Sequence, residues 1–175
     1  MAVPPLTRPP LNADQDAIGA MPAARANASP QRTTAVSRLH GLSAIGARYL
    51  QQAARDLDQG RPEDAARALQ AVAALAPQHP EVLRLQAVVA WRRGQPAQAL
   101  PPLQRALAQW PDDAHILGNL GGVLAALGDA DNAVRVFARA TEVAPAHAGH
   151  WYNLGLVLET LARHDEAGVA LRRAL

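Results

Sequence analysis

The chain has 175 residues, 17 basic and 15 acidic side chains, a formal net charge of +2 and no cysteine. That near-balance gives no electrostatic case for a nucleic-acid binder, and the lack of Cys excludes disulfides and thiol catalysis. Apolar residues make up 49% but aromatics only 3%, so a core must be assembled from many small aliphatic contacts, as between closely packed helices.

Every basic residue is Arg and none is Lys. With abundant Ala, Pro and Gly, this composition is expected of a GC-rich bacterial genome. Arg stands wherever another chain would use Lys, so a single Arg carries little functional weight. No apolar run reaches the length of a membrane-spanning helix. Pro4, Pro5, Pro9 and Pro10 interrupt the place where a signal peptide would carry its apolar block. A cytoplasmic location is therefore expected.

Residues 1–42 are rich in Pro, Ala, Ser, Thr and Arg with little apolar periodicity, and read as a disordered leader. Arg8, Arg25, Arg32 and Arg38 against Asp14 and Asp16 make it mildly basic. Two accounts stand: a tethering arm for an acidic partner, or an unstructured extension ahead of a start at Met21. Asn27-Ala28-Ser29 matches a glycosylation sequon but has no weight in a bacterial cytoplasmic chain. Helical structure begins to show at Val36 to Leu42, and Ser43 is a candidate N-cap.

From there apolar residues recur at three- and four-residue spacing. They predict helices over about 44–58, 63–76, 80–93, 97–109, 114–127, 131–144, 148–161 and 165–175. Gly60, Gly94 and Gly128 fall in the short turns. Pro62 and Pro96 follow in the first turn of the next helix, where a missing N–H costs little. Pro77, Pro111 and Pro145 stop every second helix.

These signals share a period of 34 residues. It relates Ala65, Ala99, Ala133 and Ala167; Leu69, Leu103, Phe137 and Leu171; and Val72, Ala106, Ala140 and Ala174. It also relates the small column Ala53, Ala87, Gly121, Gly155 and the large column Tyr49, Leu83, Leu117, Trp151. Small residues let two helices of a pair approach closely, and the large column is expected to fill the gap to the next pair. Leu117-x2-Leu120-Gly121-x2-Leu124, Ala133-x3-Phe137 and Pro145 make the best-formed unit. On these residues the chain resembles the tetratricopeptide repeat family. The resemblance covers a region of 43–175, with repeats about 46–79, 80–113, 114–147 and 148–175, the last incomplete.

It implies an all-α solenoid of antiparallel helix pairs, a right-handed superhelix whose concave groove is lined by the first helix of each pair. Gln52 and Asp56 mark the first repeat as atypical. Pro101 and Pro102 predict a kink or a late start near Leu100. The stop at Leu175, with no polar capping helix, is expected of a piece of a longer protein or of an associating end.

Carried onto this groove, the resemblance makes Asn119, Asn153, Arg84, Trp91, Arg92 and Tyr152 the candidate peptide-binding residues. Asn119 and Asn153 occupy one column. Relatives that hold extended peptides use an Asn there, whose amide offers a donor and an acceptor to a peptide unit. The alternative is that Asn-Leu-Gly is simply the repeat's consensus. Leu85 and Gln51 fill the same column earlier. Arg84 and Arg92 suit an acidic or C-terminal carboxylate group, or are solvated helix charges, and Trp91 between them suits core or platform. Leu50 and Ala54 stand where the carboxylate clamp of chaperone-tail-binding relatives needs basic and Asn residues, so that specificity is not expected. Gly118 and Gly122 are candidates for space left to a bulky ligand group.

His115, His147 and His150 lack a supporting ligand set and read as surface loop residues, so no metal and no cofactor is expected. No nucleophile, base and orienting group can be assembled, so no catalytic residue is assigned. The leading reading is a protein–protein interaction scaffold that holds a peptide or partner protein. Two others stand beside it. One is the N-terminal repeat region of a bacterial transferase-type enzyme, a glycosyltransferase, sulfotransferase or oxygenase, whose catalytic domain lies beyond residue 175. The other is self-association through the uncovered C-terminal helix.

Overall fold

The computed structural model describes residues 37–175. The expectations for residues 1–36 lie outside the described residues. A 3-10 turn at Ser37–Leu39 leads into eight α-helices, and among the described residues there is no strand. They are α1 (Ala44–Asp58), α2 (Pro62–Leu75), α3 (Pro80–Arg92), α4 (Pro96–Gln109), α5 (Ala114–Ala126), α6 (Ala130–Val143), α7 (Ala148–Thr160) and α8 (His164–Arg173). None is long and apolar enough to cross a membrane.

Local chemistry sets the boundaries. Ser43 Oγ accepts from the Gly46 N–H at 3.1 Å and opens α1. Asp113 Oδ1 accepts from the Ile116 N–H at 2.9 Å and opens α5. Pro62, Pro80 and Pro96 each occupy the first residue of their helix. Within repeats the turns close alike. After α5, the Gly128 N–H donates to Ala125 O (3.1 Å) and the Asp129 N–H to Leu124 O (2.9 Å), with Gly128 at φ +82°.

The helices pack as consecutive antiparallel pairs, and the second helix of each pair packs against the first helix of the next. The odd-numbered helices also touch one another along the stack, α1 with α3, α3 with α5 and α5 with α7. No comparably close approach joins the even-numbered ones, so the odd-numbered helices form the tighter, inner curve. One apolar cluster joins α1, α2 and α3 through Leu50, Leu57, Leu69, Val72 and Val82. A larger one runs from Leu83 to Ala170. Helix α3 contributes to both, which makes the stack continuous. Glycines at the pair interfaces explain the close approach: a Cβ at Gly121 would stand 2.6 Å from the Phe137 ring, and one at Gly155 would stand 2.6 Å from Leu171.

Several expectations need correction. Helix α4 starts at Pro96 and runs unbroken to Gln109, so the late start near Leu100 does not occur. The carbonyls that Pro101 and Pro102 leave without a donor belong to Ala97 and Gln98, both exposed, so water can satisfy them. Pro102 itself is buried in the pair interface. In the large column, Leu83 and Leu117 are core, but Tyr49 is exposed and Trp151 is only half-buried. Trp151 instead donates from Nε1 to Pro145 O at 2.9 Å and carries the Arg173 guanidinium 4.7 Å above its ring. His150 is not a surface loop residue, being 1% exposed. Its ring stacks on His147 at 4.1 Å.

Asp56 is buried near the end of α1, where Gln52 Nε2 donates to Oδ2 at 3.0 Å and Arg61 pairs with Oδ1. The hydrogen bond from Arg61, then that from Gln52, holds this carboxyl below the usual range against the opposing effect of desolvation.

Candidate functional site

The candidate residues lie on three successive inner helices: Arg84, Trp91 and Arg92 on α3, Asn119 on α5, and Tyr152 and Asn153 on α7. The fold brings them onto one side of the stack because α3 touches α5 and α5 touches α7. They differ sharply in access. Arg84 is 8% exposed and Asn119 only 2%, whereas Tyr152 is 43% exposed and Asn153 is half-buried.

Asn119 sits in the second turn of α5. Its Nδ2 donates to the His115 carbonyl at 2.8 Å, one turn back along the same helix. Its Oδ1 is buried and accepts no hydrogen bond. A buried acceptor without a donor costs about 1–3 kcal/mol. Trp91 is half-buried and reaches across from α3 to α5. A Cβ at Gly122 would stand 2.3 Å from Trp91 Cη2, so the space at Gly122 is filled by this chain's own indole and is not left for a ligand. Gly118 is buried in α5.

Arg84 is neither a solvated charge nor open to an incoming carboxylate. Its Nε and Nη2 donate to Glu81 Oε2 and Oε1 at 2.9 and 2.7 Å, a two-pronged pair one turn apart on α3. Glu81 also accepts from Arg38 Nη1 at 3.0 Å. Arg38 Nη2 reaches Asp113 Oδ2 at 2.8 Å, while the other oxygen of Asp113 caps α5. Burial alone would push the Glu81 carboxyl up; the charges and hydrogen bonds of Arg84, then those of Arg38, outweigh it and bring it down to about 2. One chain of four charged side chains thus ties the turn before α1 to the starts of α3 and α5. A further tie runs beside it, from His79 Nε2 to the His40 carbonyl at 3.0 Å, with His79 Nδ1 accepting from the Glu81 N–H.

Sequence reasoning did not single out Glu81, Asp113 or Arg38 as partners. Asp113 before α5 carried a readable N-cap signal and Glu81 after Pro80 a first-turn acid signal, but nothing in the order of residues joined them to Arg38. Among the described residues there is no group of three or more His, Cys, Asp or Glu side chains arranged to hold a metal.

Of the candidate residues, Tyr152 is exposed and Trp91, Arg92 and Asn153 are half-buried on the stacked helical scaffold. Tetratricopeptide repeat models match residues 50–114, 90–157 and 150–175, and the chain belongs to this family. Among solved structures it is similar to MamA, at 23% identity over 75% of this chain and 76% of that one, with a TM-score of 0.65. It is similar to Pseudomonas aeruginosa PilF at 24% identity over 75% of this chain and 60% of that one, with a TM-score of 0.69. It is similar to YrrB, described as a TPR protein with an unusual peptide-binding site, at 25% identity over 74% of this chain and 66% of that one, with a TM-score of 0.63. A search of curated proteins finds no match.

Proposed function

We propose that this chain is a protein-interaction scaffold that holds an extended peptide segment along its inner helices. Asn119 and Asn153 contact the peptide backbone, and Trp91, Arg92 and Tyr152 flank it. The observation that carries this reading is the buried Asn119 Oδ1, an acceptor with no donor, with the more open Asn153 of the same column on the next inner helix. A ligand N–H at that oxygen removes a standing penalty, while the bond from Nδ2 to His115 O keeps the amide oriented. Because an amide addresses the peptide unit and not its side chains, this column supplies affinity, and the residues beside it supply selectivity. The similarity to YrrB, whose description includes a peptide-binding site, supports the same reading.

The test is partner recovery by immobilised wild-type chain against Asn119→Ala/Asn153→Ala, identified by mass spectrometry. The reading expects at least one partner to be lost with the double variant while helical circular dichroism is kept. Recovery of the same partners in the same amounts refutes it.

A further inference from the structure

The arginine that closes the charged chain comes from far away in sequence. Arg38 lies 43 residues before Glu81, in a segment that otherwise belongs to none of the helix pairs. Its guanidinium enters a gap between the first turn of α3 and the N-cap of α5. There its two terminal nitrogens take different carboxylates, Nη1 on Glu81 at 3.0 Å and Nη2 on Asp113 at 2.8 Å. The side chains of Glu81 and Asp113 are 8% and 0% exposed.

Arg84 already neutralises Glu81 in a two-pronged pair. Removing Arg38 therefore takes a positive charge away from two acidic side chains in a nearly dry place. The guanidinium meets the two carboxylates differently: Nη1 hydrogen-bonds to Glu81 Oε2, while Nη2 lies at ion-pair distance from Asp113 Oδ2 without hydrogen-bond geometry, and a guanidinium spans both where the single nitrogen of an ammonium would reach one.

The segment that supplies Arg38 is short. It is a single 3-10 turn, followed by exposed His40 and Gly41 and anchored by half-buried Leu39 and Leu42 and by the His79–His40 hydrogen bond. Short elements with so little burial open at low free energy. Asn119 lies six residues beyond Asp113 on the same helix, about 9 Å along its axis, which is roughly three residues of extended chain.

We propose that Glu81 and Asp113 form an arginine-recognition site at the edge of the groove, filled in cis by Arg38, and that the partner peptide presents an arginine that takes its place. The site rests on the peptide-groove reading and narrows it: the ligand is a basic segment, and the turn at Ser37–Leu39 is its internal competitor.

The test uses the full chain with Arg38→Ala and, as a variant that keeps the stem and a donor, Arg38→Gln. The probe is a fluorescein-labelled peptide of one arginine with three alanines on each side, followed by anisotropy. Controls carry lysine or glutamate in place of the arginine. Vacating the gap is expected to tighten binding of the arginine probe about ten-fold or more relative to wild type, with the lysine probe weaker and the glutamate probe not bound. Adding Asp113→Asn, which keeps an oxygen to cap α5, is expected to remove the gain.

Equal affinity for wild type and both Arg38 variants overturns the proposal. So does a lysine or glutamate probe that binds as well as the arginine one, or a gain that survives Asp113→Asn. Loss of helical circular dichroism in both Arg38 variants also overturns it, because a site that must empty cannot be essential to the fold. Failure here is separable from failure of the groove reading. Arginine binding that needs Asp113 stands whatever Asn119→Ala/Asn153→Ala does to partner recovery. Partner recovery that needs the two asparagines stands if the arginine probe ignores Arg38.

Discussion

Ala162 offers a test of the turn logic that can be read in both directions. The residue after the first helix of each pair has φ +70° at Gly60, +75° at Gly94 and +82° at Gly128. In the fourth pair the same place is taken by Ala162 at φ +57°, the one non-glycine residue with positive φ among the described residues. The hydrogen bonds are the same as at Gly128: the Ala162 N–H donates to Glu159 O at 3.0 Å and the Arg163 N–H to Leu158 O at 3.0 Å. The turn therefore dictates the conformation, and Ala162 adopts it at a cost of roughly 1–2 kcal/mol for an L side chain in the left-handed region. Glycine would remove that cost but lose about 0.4–1 kcal/mol through the greater freedom of the unfolded chain. Ala162→Gly should thus stabilise by roughly 0.5–1 kcal/mol, or about 1–4 °C in Tm for a chain of this size.

The reverse change is Gly128→Ala. A Cβ there meets nothing within 4 Å, so any loss comes from the backbone alone and should be similar in size. Urea titration of both variants measures the balance. Amide hydrogen exchange in α8 localises it. An Ala162→Gly chain that is no more stable than wild type, or a neutral Gly128→Ala, refutes the assignment of strain to this position.

Packing and charge give three further predictions. Gly121→Ala should destabilise by about 1–3 kcal/mol, because Phe137 stands 2.6 Å from the new Cβ and is itself 1% exposed, leaving it nowhere to move. Gly122→Ala meets Trp91 still more closely, but that ring is half-buried and can swing outward, so a smaller loss and a red-shifted tryptophan emission are expected. In acid, Glu81 should dominate. Its folded-state carboxyl lies at about 2 against an ordinary 4.5, so its contribution is complete above about pH 4.5 and is lost as pH falls toward 2, about 3 kcal/mol in all. Glu81→Gln should flatten the dependence of the urea midpoint on pH across that window, and an unchanged slope would show that the buried group does not control it.

The helix layout was legible because independent signals coincided. Apolar spacing, a turn glycine and a proline at the first helical position agree at α2 and α4, and the observed ends lie within two residues of expectation. The misplaced residues have separate causes. Tyr49 shares a column with Leu83 and Leu117, but no helix pair among the described residues precedes α1 to cover it. The burial of His150 is legible in its period and not in its residue type: it stands 34 residues after Ile116 and 68 after Val82, both 0% exposed. Gly122 was read as room for a ligand because a glycine in sequence cannot say which side chain of another helix fills the space. Trp91 does so from 31 residues away.

The charged chain was illegible for a deeper reason. One period after Glu81 and Arg84 stand His115 and Gly118, and one period before Asp113 stands His79. Each member occurs once, so a method that gains its power from recurrence assigns these residues no role. Stacking requires recurrence, because every helix pair must bury the same face against the next. Recognition of a particular ligand requires the opposite, since a groove that repeated perfectly could not fix the register of what it holds. Here the breaks in period gather at one end. Arg84 and Asn119 are buried, Arg84 in the charged chain and Asn119 on the His115 carbonyl, while Tyr152 and Asn153 are more accessible on the next inner helix. The inner helices are thereby unlike along the stack, with a half-buried amide beside an exposed phenol on α7 and buried ion pairs at the starts of α3 and α5. On the proposed peptide-binding reading, that asymmetry would give a held segment a direction that the repeat architecture alone does not supply.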